Sequence, residues 1–348
     1  MSAPERNQSY HGQWVWHAKT KRLRFDLQTG SLLRALQGAW SLDGLFKVLD
    51  PQSPERLRLG LEAGAVAVNC ALNLADGQPF ELVGAFRDQD EAVGTVIVDP
   101  LVSEGVKEAL LEPVFQPIIS LKTRRIVGYE ALARWAGLST AQRAAARLND
   151  DGLASKMILQ SCEALSAWRA VAGCGALSVQ INLSGRDLEH VALPELVAGA
   201  MAGFGLPHAS VGIELTEQAA LRDSGEALTM ARALKEKGAK LILDDFGSGH
   251  SSFSWLADLP ADGIKIDADL IGRLGAPRAD GILRALASLC HSLDMEITAE
   301  GVEDEAQLEQ LAAFGFDHVQ GYWLGRPLSG QAVLAHLKSG GLVPSGAP

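Results

Sequence analysis

With 348 residues, 47% of them hydrophobic and 21% charged, the chain has the composition of a globular protein with room for two domains, and extended disorder is excluded. A formal net charge of -11 excludes broad electrostatic attachment to nucleic acid, DNA included, because that needs basic surface able to release counterions. It leaves room for a small phosphorylated ligand, since bound metal ions reverse the local sign.

The opening stretch, residues 1–14, lacks the apolar core of a signal peptide. No run approaches the roughly 20 apolar residues that span a bilayer, so no membrane attachment is expected. Cys70, Cys162, Cys174 and Cys290 form neither a CxxC pair nor a regular spacing, which argues against a disulfide framework or a thiolate zinc site. The expectation is a soluble, cytoplasmic protein.

Residues 10–99 read as a small α+β domain. Trp14-Val15-Trp16 opens a hairpin, and Ser31–Leu49 and Pro54–Ala63 have helical texture. Val66–Leu74, Phe80–Arg87 and Val93–Val98 follow as short strands divided by the turn Asp76-Gly77-Gln78-Pro79 and by polar residues 88–91, the pattern of an antiparallel meander. Trp40, Phe46 and Phe80 read as core, and His11 and His17 have no haem- or metal-type spacing. The boundary is expected within Pro100–Lys107, which gives domains 1–105 and 106–348.

From about residue 106 the texture changes to apolar strand, loop and amphipathic helix, repeated. The candidate strands are Val114–Ser120, Val127–Ala133, Leu177–Asn182, Val211–Leu215, Lys240–Leu243, Gly263–Ile266, Glu296–Ala299 and His318–Tyr322, with helices such as Gly225–Lys237 and Asp280–Leu293 between them. This rhythm predicts an α/β fold, a TIM-like (β/α)8 barrel. An open doubly wound sheet is the alternative, but no GxGxxG follows the first strand.

The polar residues of these strands carry the chemistry. Glu130 lies within the second, Asn182 ends the third and Glu214 the fourth. Asp244 and Asp245 end the fifth, Lys265 sits in the sixth, Glu300 ends the seventh and Gln320 lies in the eighth. C-terminal strand ends of a barrel converge on one face, and carboxylates brought that close repel unless cations sit among them. A single acid at a strand end is more often a helix cap, Asp244-Asp245 alone reads as a turn, and a lone lysine is usually solvated. Seven strands in order, each bearing such a group, point instead to magnesium or manganese held by oxygen ligands. Asp244-Asp245 is the candidate bridge between two ions, the arrangement suited to in-line displacement at a phosphodiester. Lys265 would hold the attacking water or offset charge in the transition state.

From about Leu110 to Leu334 the chain closely resembles the EAL family of cyclic di-GMP phosphodiesterases. The matching stretches are Gln116-Pro117-Ile118, Glu130-Ala131-Leu132 with Arg134-Trp135, Asn182-Leu183-Ser184, Glu214-Leu215-Thr216-Glu217, Asp244-Asp245-Phe246-Gly247-Ser248-Gly249, Ile264-Lys265-Ile266-Asp267, Ala299-Glu300-Gly301-Val302-Glu303 and Gln320-Gly321-Tyr322. The resemblance implies that Glu130, Asn182, Glu214 and Asp244 hold one metal ion and that Asp244 and Asp245 reach a second. Lys265 and Glu300 would lie at the attacking water, with Glu300 a ligand or the base. Arg134 would pair with a substrate phosphate, Gln116, Leu132 and Gln320 would face the substrate, and Glu303 would support the site. Glu217 would anchor the loop Asp245–Ser252, which in the family responds to dimerisation.

Two departures from the family pattern stand out. The stretch Ala136–Arg143 lacks the family's His-Pro-Glu and Pro-x-x-Phe-Ile elements, and Ser248 and His250 replace the commoner Thr and Tyr. The N-terminal segment more weakly resembles a PAS sensor domain, whose ligand the sequence leaves unknown. Together these readings imply a homodimeric enzyme that hydrolyses cyclic di-GMP to linear pGpG under control of the first domain. A catalytically inactive cyclic di-GMP receptor acting through a protein partner is the alternative, and a barrel serving only as an interaction scaffold is a third reading.

Overall fold

The computed structural model describes residues 10–27, 31, 33–61, 67–75, 79–86, 90–97, 111–135, 153–185, 187–189, 193–216, 224–247, 256 and 258–341. They separate into two compact units, one carrying the N-terminal sheet and the other the barrel strands.

In the first unit, strands β1 (Tyr10–His17), β2 (Arg22–Leu27), β3 (Gly38–Ser41), β4 (Ala67–Asn73), β5 (Pro79–Phe86) and β6 (Glu91–Ile97) form an antiparallel sheet in the order β3-β2-β1-β6-β5-β4. The expected hairpin and meander are both present, and the last strand returns beside the first, so Trp14 stands opposite Phe25 on one side and Gly94 on the other. Alternation sends Trp14, Trp16, Leu23 and Phe25 into the core with Leu57, Leu72, Phe80 and Leu82, while Trp40 and Phe46 pack at its margin. Helix Leu193–Gly203 packs against β5 within this unit.

The expected helix Ser31–Leu49 is not continuous. It is a 3-10 turn at Arg34–Leu36, then β3, then a short helix Leu42–Phe46 capped by Ser41, whose Oγ accepts from Gly44 N–H. The break falls at Gly38, whose φ of 105° no helix accommodates.

The second unit is a closed barrel. Strands β7 (Leu111–Ser120), β8 (Ile126–Trp135), β9 (Ser178–Leu183), β10 (Val211–Thr216), β11 (Lys240–Phe246), β12 (Gly263–Ile266), β13 (Glu296–Ala299) and β14 (His318–Val319) follow one another around it, and β14 pairs with β7 to close the ring. Beside β7 lies the short β15 (Leu328–Ser329). From β8 to β14 the strands are parallel. The first is the exception, pairing antiparallel with β14. A tight turn joins β7 to β8, with Ser120 N–H donating to Arg125 O at 3.0 Å, and a connection that short cannot join parallel neighbours.

Several barrel strands are buried on both faces. In β10, Ile213 and Leu215 are fully buried on one face and Glu214 is fully buried on the other. The outward apolar residues meet helices such as Ser224–Glu236, which packs on β11, and the inward positions carry the polar groups. Only His318–Val319 of the expected eighth strand is ladder-bonded, although Gln320 N–H still donates to Ala299 O at 2.8 Å.

Candidate active site

The acids expected from the sequence do converge at one end of the barrel, and they do so around a lysine. Lys265 Nζ lies 2.6 Å from Glu300 Oε1, 3.1 Å from Glu214 Oε1, 3.2 Å from Glu130 Oε2 and 3.6 Å from Asp244 Oδ1. Its side chain is 0% exposed. Register explains the meeting: Glu214 on β10 is level with Asn182 on β9, and Lys265 on β12 is level with Thr298 on β13.

Strict alternation would send Asp244 and Asp245 to opposite faces. A bulge prevents this. Leu243 pairs with Ile264 and Phe246 with Ile266, so two residues of β11 stand against Lys265 alone. Asp245 absorbs the extra residue with φ at 56°, a left-handed conformation that aspartate tolerates better than branched side chains do. Carboxylate oxygens of Asp244, Asp245 and Glu300 thereby come within 4.8 Å of one another.

Glu130 is fixed from three strands. Its Oε1 accepts from Asn182 Nδ2 at 2.8 Å, and its Oε2 accepts from Gln320 Nε2 at 2.6 Å beside the Lys265 ammonium. Burial opposes ionisation here, but Lys265 and the two amides outweigh it and hold this carboxyl below its usual value. Glu214 goes the other way. Complete burial, reinforced by Glu130, Asp244 and Glu300, pushes it well above its usual value in spite of Lys265. Burial also raises Glu300, to about 7, with Lys265 opposing and Asp244 and Glu130 assisting. Burial and the neighbouring Asp244 raise Asp245. Burial works against the Lys265 ammonium, yet Glu214, Glu130, Glu300 and Asp244 keep it protonated far above the usual lysine range.

Glu214 Oε2 is buried without a hydrogen-bond donor among the described residues, and Glu214 Oε1 and Asp244 Oδ1 meet only the Lys265 ammonium there, at 3.1 and 3.6 Å. Buried carboxylate oxygens left without donors are costly unless a cation meets them. Hard oxygen donors in this number suit magnesium or manganese better than softer metals, so the residues fit a divalent cation site.

A cavity of about 540 Å³ opens over the cluster, lined by Gln116, Glu130, Leu132, Asp244, Asp245, Glu300, Glu303 and Gln320 among others. Tyr322 and Trp323 also line it, as do Ala268, Gly301 and Val302. Gly301 and Val302 lie in a matching stretch of the sequence, whereas Ala268 gave no signal. It comes in because the segment after β12 packs closely on the end of β13: a Cβ on Gly301 would lie 2.5 Å from that of Ala268, and one on Gly321 would lie 2.1 Å from Val302 O. Arg134 is exposed near the end of β8 and is not among the lining residues. Glu217 and the stretches 136–152 and 248–255, with Ser248 and His250, lie outside the described residues.

Residues 102–327 match the EAL domain. The chain belongs to the EAL-domain family. It is 32% identical over 230 residues to the bifunctional diguanylate cyclase/cyclic di-GMP phosphodiesterase MucR of Pseudomonas aeruginosa, a match that covers 64% of this chain and 33% of that protein. Thus the EAL-domain chain described here corresponds to about a third of that relative's length. Among solved structures, the PaMucR phosphodiesterase in complex with c-di-GMP superimposes with a TM-score of 0.60 at 30% identity, covering 67% of this chain and 98% of that one. The EAL domain of Mycobacterium smegmatis DcpA gives 0.59 at 31% identity, covering 68% and 100%.

Proposed function

We propose that this EAL-domain protein hydrolyses cyclic di-GMP to linear pGpG. The observation that carries the reading is the buried Lys265 ringed by Glu130, Glu214, Asp244 and Glu300 beneath the cavity, and relatives that act on or bind cyclic di-GMP support the choice of substrate. Glu130, Asn182, Glu214 and Asp244 would hold one magnesium or manganese ion, and Asp244, Asp245 and Glu300 a second. When bound, such ions supply Lewis acidity at the scissile phosphate and lower the cost of forming a hydroxide nucleophile.

The chain's own groups do the rest. Lys265 orients the attacking water and offsets negative charge growing on the phosphoryl oxygens. Glu300 is the carboxylate nearest to Lys265, which places it to take the water's proton. The water oxygen bonds to phosphorus, the bond from phosphorus to the 3′ oxygen breaks, and that oxygen leaves as a hydroxyl by taking up the proton that Glu300 removed from the water. Gln116, Leu132 and Gln320 bind the nucleotide from the cavity wall, Arg134 pairs with a substrate phosphate, Glu303 supports the wall, and Glu217 anchors the loop after β11.

We further propose that the first domain, residues 1–105, is a PAS-like regulatory unit, a reading supported by its antiparallel sheet in the order β3-β2-β1-β6-β5-β4, with the last strand beside the first. A homodimer is proposed from the family resemblance alone, and a cytoplasmic location from the cysteine pattern. The deciding assay is single-turnover hydrolysis with the protein in excess over cyclic di-GMP in magnesium, read by product chromatography. Wild type should yield pGpG far faster than Lys265→Ala. Binding without cleavage above the variant's rate would make the protein a receptor.

A further inference from the structure

The described residues of the cluster include the carboxylates of Glu130, Glu214, Asp244, Asp245 and Glu300, and one cation, Lys265. That ammonium has no access to solvent, so water screens it poorly and its interactions are strong in both directions. It attracts each carboxylate, and it repels any other cation that approaches them. Four of the side chains that would bind a divalent ion are already within 3.6 Å of Lys265.

We infer that Lys265 is a built-in counter-cation that competes with divalent ions for the same carboxylates, and so sets the metal affinity of the cluster as well as its stability without metal. The inference rests on the divalent-cation reading above. Two features of the geometry support it beyond the charge count. Lys265 contacts acids from β8, β10, β11 and the end of β13, so one ammonium ties four strands together. Its shortest contact is to Glu300, which belongs with Asp244 and Asp245 to the set whose oxygens lie within 4.8 Å. An ion entering that set must share Glu300 with a fixed positive charge. Affinity is thereby held down, and occupancy follows the free divalent concentration instead of saturating at trace levels.

The test is Lys265→Met in the full chain, which keeps an unbranched side chain and removes the charge. Manganese binding is measured without nucleotide, by the loss of the free-ion paramagnetic resonance signal, and thermal unfolding is followed in chelator and in manganese. The variant should bind manganese at least about tenfold more tightly than wild type. It should melt lower in chelator and gain more from manganese, and recovery of folded variant only in the presence of manganese is the same result in its extreme form. Equal manganese affinity, an equal gain on melting, a variant still unfolded in saturating manganese, or no manganese binding by either protein would overturn the inference. Nucleotide is absent throughout. A manganese shift as expected, together with failed hydrolysis by wild type, therefore sinks only the phosphodiesterase reading.

Discussion

Lys265 Nζ stands 3.1 Å from Glu214 Oε1, with both side chains wholly withdrawn from solvent. Among the described residues, that ammonium is the one cation the buried acids share. Lys265→Ala leaves Glu130, Glu214, Asp244 and Glu300 without it, and uncompensated buried charge costs about 3–5 kcal/mol. Lys265→Ala is expected to lose stability on that scale in urea unfolding with chelator present. Glu214→Ala should lose less, because Lys265 keeps Glu130, Asp244 and Glu300. An equal or larger loss for Glu214→Ala would mean that Lys265 is not shared among the acids.

Gln320→Ala withdraws one of the amides that hold Glu130, while Asn182 and Lys265 remain. The expected loss is about 1–3 kcal/mol of stability, the range for a buried hydrogen bond to a charged group. Turnover should fall more than substrate affinity, because a mispositioned Glu130 disturbs the reacting centre. A change confined to KM would show that Gln320 only contacts the nucleotide.

Chelation should abolish hydrolysis, and magnesium or manganese should restore it. Calcium should restore little, since its looser and larger coordination shell holds a nucleophile less well in line. Full activity in excess chelator is the result that would sink the divalent-cation reading.

The pH dependence follows from Glu300. Its carboxyl sits at about 7 in the folded protein against an ordinary 4.5, chiefly through burial. Between those values the folded state holds a proton that the unfolded state has released. This group's contribution is therefore complete below 4.5 and is lost as pH rises through about 7. Without metal, the melting temperature of wild type should decline across that window, and Glu300→Gln should flatten part of the decline. Identical slopes in the two proteins would assign the effect elsewhere.

Excision of residues 1–105 removes β1 to β6, including the strand against which Leu193–Gly203 packs. Leu196, Val197 and Ala200 of that helix are buried, and stripping their cover costs stability. The excised protein should melt at a lower temperature than the full chain and hydrolyse cyclic di-GMP at a different rate. Equal melting and equal rates would argue that the first domain serves localisation or assembly.

The ring of barrel strands and the identity of most site residues were written in local pattern. Apolar strands alternating with amphipathic helices predict a barrel wherever they occur at this length, because each strand must be covered on both faces. The position of an acid in its strand then fixes which end of the barrel it reaches, and that was enough to bring Glu130, Glu214, Asp244 and Glu300 together. What sequence could not decide depends on contacts between residues far apart. The bulge that turns Asp245 beside Asp244 exists only through its register with β12. The reversal of the first strand is local, set by the tight turn into β8, but its pairing with β14, which closes the ring, is not. The opposite proton affinities of Glu130 and Glu214, two glutamates with the same intrinsic chemistry, arise because complete burial and three neighbouring acids outweigh Lys265 at Glu214, while Lys265 and two amides outweigh burial at Glu130. Lysine in the sequence is a solvent-facing charge by default. Only the folded barrel, by closing around Lys265 on every side, makes it the cation on which the acid cluster is built.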